Sequence, residues 1–123
     1  MNGRSMIFAF DTAAVSAVLS PSAARLASIQ GGTRTIIRGA GGVEAATRSA
    51  AVVEVAGAAP GQRIAVIESA GVDRAASAAG AHLDGVIGPA ALRLRSLAID
   101  YPLRRIWFNP ALQGTTTSVP RCS

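Results

Sequence analysis

The 123-residue chain has no lysine, one cysteine and one histidine. Without lysine there is neither a Schiff-base nucleophile nor a phosphate-loop lysine. The lone Cys122 excludes an intrachain disulfide and a cysteine metal cluster. His82 lies near Asp84, with Ser69 and Ser77 upstream, but no Gly-x-Ser-x-Gly elbow accompanies them. His82 therefore reads as a loop histidine. Together with Asp73 and Asp84 it offers too few ligands at usable spacing for a metal, and no cofactor is expected. Long apolar runs are missing too, none approaching the roughly 20 residues of a membrane helix. Asp11 interrupts the run nearest the start, so this chain shows no signal-peptide layout.

Aromatic residues are scarce. Phe8 and Phe10 lie near one end, and Tyr101, Trp107 and Phe108 near the other. Large side chains supply most of a core's energy, so the two ends are expected to meet in space. The net charge of +5 is carried by arginine alone, and the arginines are scattered, with doublets only at Arg93/Arg95 and Arg104/Arg105. A nucleic-acid reader gathers its basic residues on one face beside stacking aromatics. Here the aromatics sit in apolar strands, so no nucleic-acid partner is expected. The length is that of one domain. Half the residues are hydrophobic, but many of these are alanine, and the thin core that results favours association with a second copy.

Along the chain, Asn2-Gly3 is a strong two-residue hairpin signal with only Met1 before it. Arg4 to Phe10 reads as a strand, residues 11–14 as a turn, and Val15 to Leu19 as a second short strand. Ser20-Pro21 supplies an N-cap and a first-turn proline for a short amphipathic helix that stops by Gly31-Gly32. Thr33 to Arg38 and Val43 to Val55 are strands on either side of Gly39-Ala40-Gly41-Gly42, a hairpin with a glycine tip. That loop opens a strand rather than a helix, which argues against a phosphate cradle. Ile64 to Ile67 is a strand, and Ser69 to Ala81, rich in alanine and glycine, reads as a loop. Leu83 to Ile87 leads to Gly88, Pro89 to Leu94 suits a short helix, and Leu97 to Tyr101 pairs with Arg104 to Phe108.

The stretch that organises this order is Met6 to Leu19, where an apolar run, Ile7 to Phe10, ends on a carboxylate, Asp11. Phe10-Asp11-Thr12-Ala13-Ala14 resembles the hydrophobic-hydrophobic-Asp-Thr-Gly-Ala motif of aspartic proteases, with Ala13 in place of glycine. Ser16 to Pro21 resembles the segment after that motif in single-domain, retropepsin-like bacterial members. Asp84-Gly85-Val86-Ile87-Gly88 resembles their hydrophobic-hydrophobic-glycine element, and Ala98 to Trp107 their closing strand pair. The resemblance covers about residues 2–109.

It implies a mainly β, retropepsin-like (acid protease) small closed barrel with one or two short helices over 1–109, and a disordered tail over 110–123. In the family a strand precedes the Asn2-Gly3 turn, so a first strand is expected to be missing before Met1. The implied activity is aspartic endopeptidase action on a peptide or protein substrate. Thr12 would hydrogen-bond across a homodimer, Thr12, Ala13 and Ala14 would shape the active-site loop, and Gly88 would let backbone pass behind it. Gly39, Ala40, Gly41 and Gly42 would form a flap over the substrate.

Such hydrolysis needs two carboxylates sharing one proton, one polarising the peptide carbonyl while the other activates water. Asp73, Asp84 and Asp100 lie in no second copy of the motif. The partner of Asp11 is therefore expected from a second subunit, with the pair on a two-fold axis. A methyl at position 13 puts the activity in more doubt than the fold, and the alternative is an inactive retropepsin-like domain that binds extended peptides.

Overall fold

The computed structural model describes residues 1–39, 42–55, 59–94 and 96–108. They form β1 (Phe8–Phe10), β2 (Ala17–Leu19), α1 (Pro21–Leu26), β3 (Thr33–Gly39), β4 (Gly42–Val55) and β5 (Ala59–Glu68). There follow α2 (Gly71–Ala79), β6 (Gly85–Ile87), β7 (Leu97–Asp100) and β8 (Arg105–Phe108). The six strands β1 to β6 make one sheet in the order β1-β6-β2-β5-β4-β3, while β7 and β8 pair separately. The chain is thus mainly β with two helices. The sheet curls into a half-barrel rather than the closed barrel expected, since β1 and β3 remain its two edges.

The pairing divides the sheet into two faces. Neighbours in register share a face, which groups Phe8 and Phe10 with Gly85 and Ile87, then with Ala17, Leu19, Val66, Ile64, Ala51 and Val53. These build the core, closed by Ala23 and Ala24 of α1 and by Phe108. The Phe10 and Phe108 rings lie 5.6 Å apart, so the two aromatic ends do meet, although Tyr101 and Trp107 stay exposed. The opposite face carries a row running through Ala9, Val86, Val18, Ile67 and Arg48.

Local chemistry accounts for the elements that hold this arrangement. Ser20 caps α1, its Oγ accepting from the Ala23 N–H at 3.1 Å, with Pro21 at the first position. Asn2 and Gly3 both have positive φ, and the Arg4 N–H closes the turn on the Met1 carbonyl at 2.8 Å. The Asn2 side chain fastens that turn to the sheet and to the end of α1, Oδ1 accepting from the Val52 N–H and Nδ2 donating to the Ala27 carbonyl.

Three expectations are corrected. The span read as a loop contains α2, because Val72 and Ala76, four apart, are buried and Gly80 ends the helix in the left-handed region. The helix expected over Pro89 to Leu94 is a run of turns instead, interrupted where Arg93 takes a positive φ of 52°. The first strand is confined to Phe8–Phe10, shorter than the Arg4 to Phe10 expected, because Arg4 closes the turn on Met1 and Ile7 exchanges its backbone bonds with Asp84 rather than with a neighbouring strand.

Candidate active site

Asp11 follows directly on β1. Its N–H donates to the Ile87 carbonyl at 3.0 Å, one step beyond the parallel β1–β6 ladder. The chain then turns. The Ala14 N–H donates to the Asp11 carbonyl at 3.1 Å, and the Ala13 N–H to Asp11 Oδ1 at 2.9 Å. The carboxylate is therefore oriented by its own loop, in the manner of aspartates that bond the backbone two residues on.

Gly88 sits against the back of this loop. A β-carbon there would lie 2.7 Å from the Asp11 carbonyl oxygen and 2.8 Å from the Ala14 carbonyl carbon, and nearer still to the Ala14 oxygen. Only a residue without a side chain leaves room for that approach. Gly85, at the start of β6, is needed for a different reason: a β-carbon there would come within 2.6 Å of the Phe8 ring.

The loop opens onto a cleft of about 840 Å³. Asp11, Ala13 and Ala14 line it on one side, Gly39 and Gly42 of the β3–β4 hairpin on another, and Val72 and Ala75 of α2 form a further wall. Its floor is the row Val86, Val18 and Ile67. Of the expected hairpin residues, Ala40 and Gly41 lie outside the described residues. Asp11, Thr12 and Ala13 are exposed, and Val15 just beyond them is 80% exposed. The Thr12 hydroxyl has no hydrogen-bond partner among the described residues. Ala13 is not among the non-glycine residues of positive φ, so its methyl causes no backbone strain within the protomer.

A polar cluster in the same cleft was missed in the sequence. Glu44 on β4 accepts from the buried Ser69 Oγ through Oε1 and pairs with Arg74 of α2 through Oε2. Ser69 Oγ also accepts from the Gly71 N–H at 3.0 Å, opening α2. Only the serine two residues before a helical glycine hinted at this; the link to Glu44 spans residues far apart in the chain.

The remaining acids and the histidine stand elsewhere. Asp84 is buried and Oδ2 accepts from the Ile7 N–H at 2.7 Å, which makes it a structural clasp between β1 and β6. His82, 77% exposed, lies 3.4 Å from Asp84 Oδ1, and no serine is hydrogen-bonded to it among the described residues. No group of three or more potential metal ligands occurs among the described residues. Among those residues, too, no helix is long and apolar enough to cross a membrane. Comparison of the chain with family models, with curated proteins and with solved structures gave no match.

Proposed function

We propose that this chain is a retropepsin-like aspartic endopeptidase that works as a homodimer, each subunit contributing Asp11. The observation that carries the reading is the seating of the Asp11 loop on Gly88, at the mouth of a cleft bounded by the β3–β4 hairpin. This is the relation that the resemblance implies for the two motifs. An exposed carboxylate loop, a Thr12 hydroxyl with no partner among the described residues and the neighbouring exposed Val15 are what a second copy would meet on a two-fold axis.

In the dimer the two Asp11 carboxyls share one proton, because like charges about 3 Å apart do not both ionise. The ionised carboxylate takes a proton from water as the water oxygen attacks the peptide carbonyl carbon. The protonated carboxyl gives its proton to the carbonyl oxygen. The tetrahedral intermediate then collapses: the carboxyl that took the water proton gives it to the amide nitrogen, the C–N bond breaks, and a hydroxyl of the intermediate returns its proton to the other carboxylate. Acid–base help of this kind contributes about 10²–10⁴-fold. Asp11→Asn is therefore expected to lower kcat for peptide cleavage by at least about 10², with the circular dichroism spectrum unchanged. Cleavage that persists in Asp11→Asn overturns the mechanism.

A second reading is favoured by one residue. Ala13 stands where the motif has glycine, and since its backbone is relaxed, its effect falls on the space between two facing loops. In that reading the domain binds extended peptides without cutting them, by strand addition to β3, an edge of the sheet. Binding without cleavage, followed by cleavage in Ala13→Gly, decides for it.

A further inference from the structure

The cleft holds more positive charge than its own carboxylates neutralise. Five ionisable side chains line it: Asp11, Glu44, Arg38, Arg48 and Arg74. Glu44 is occupied by Arg74 and Ser69. Arg38 and Arg48 have no carboxylate partner among the described residues. An exposed arginine needs no explanation by itself, but the position of Arg48 is specific. It lies opposite Ile67 on β5, which pairs with Val18, which pairs with Val86. Arg48 therefore ends the apolar row that floors the cleft, on the same face as that row.

From these contacts we infer that Arg48 forms a subsite for an acidic side chain of the bound peptide. The inference rests on the endopeptidase reading and adds a substrate class to it: peptides carrying glutamate or aspartate a short distance from the scissile bond. The spacing follows from the sheet. β4, which carries Arg48, is four strands from β1, at whose end Asp11 stands, roughly 19 Å at about 4.8 Å per strand. An arginine side chain closes part of that gap. An extended peptide advances about 3.3 Å per residue, which puts the acidic side chain roughly three or four residues from the bond at Asp11. Two-fold symmetry supplies one Arg48 on each side, so the preference appears on both sides of the cut. A guanidinium suits this task because its planar fork matches a carboxylate. Glu44, two residues from Ala46 and four from Arg48 on the same strand face, does not compete, since Ser69 and Arg74 hold it.

The test uses matched peptides that differ only by glutamate or glutamine about three or four residues from the cleaved bond. Both cleavage by the wild-type protein and binding to Asp11→Asn, followed by fluorescence polarisation, are measured. The glutamate peptide is expected to be favoured about three- to fivefold, the scale of an exposed ion pair. Arg48→Gln removes the preference, Arg48→Lys keeps most of it, and Arg48→Glu turns it towards a lysine-containing peptide. Equal binding of the two peptides to Asp11→Asn, or a preference unchanged in Arg48→Glu, overturns the subsite. Absence of cleavage by the wild-type protein counts against the endopeptidase reading alone, and the binding comparison still decides the subsite.

Discussion

Replacing Gly88 with alanine would drive a methyl group into the back of the Asp11 loop. The new carbon would stand 2.7 Å from the Asp11 carbonyl oxygen and 2.8 Å from the Ala14 carbonyl carbon. Comfortable separations begin near 3.5 Å, so the overlap is roughly 0.7 Å at each. Both obstacles are backbone, which has no alternative rotamer, and the loop must retreat bodily. Overpacking of this kind costs about 1–3 kcal/mol, or a fall in Tm of about 4–12 °C for a domain of this size. The same retreat moves Asp11, and a misplacement near 1 Å costs about 10² in rate. Thermal unfolding by circular dichroism reads the first effect and peptide cleavage the second. Gly39→Ala serves as the thermal control, because a β-carbon there meets nothing within 4 Å. If Gly88→Ala melts and cleaves like the wild type, Gly88 does not hold the loop and the reasoning fails.

Two further predictions concern the scaffold. Ser20→Ala removes the side-chain cap of α1 at a site 1% exposed, and should cost about 1 kcal/mol in chemical denaturation; an unchanged midpoint would show that the cap is dispensable. Asp84→Ala strips the Ile7 N–H of its acceptor and should cost about 1–3 kcal/mol, whereas His82→Ala, at an exposed position, should stay within about 0.5 kcal/mol. Equal effects from the two would argue that His82 and Asp84 act as a pair.

What could be read beforehand was what short-range chemistry decides. Ser20-Pro21 marks its helix through a cap that needs only three following residues, and that cap is present. Thr33 to Arg38 is rich in β-branched residues, and the hairpin pairs Thr33 with Arg48 through to Gly39 with Gly42. The meeting of Phe10 and Phe108 followed from how few large side chains there were to fill a core. The failures are long-range. Helix α2 is mostly alanine and glycine, and what anchors it is the burial of Val72 and Ala76 against other elements, which its own composition does not reveal. Whether a sheet closes depends on the meeting of its edge strands, so a half-barrel and a closed barrel have similar local patterns. At the site, the Asp11 turn and its contact with Gly88 were legible because two short motifs carried them. The Glu44–Ser69–Arg74 cluster was not, since nothing near Glu44 in sequence announces a partner on another element.

The central claim is that two copies of Asp11 act together, and mixing subunits tests it directly. Wild-type protein and Asp11→Asn are combined in varying ratio, allowed to exchange, and assayed for peptide cleavage. If each active site needs a carboxylate from both subunits, activity falls with the square of the wild-type fraction, to about one quarter in an equal mixture. A linear decline, with about one half remaining, would mean that each subunit works alone and would contradict the account.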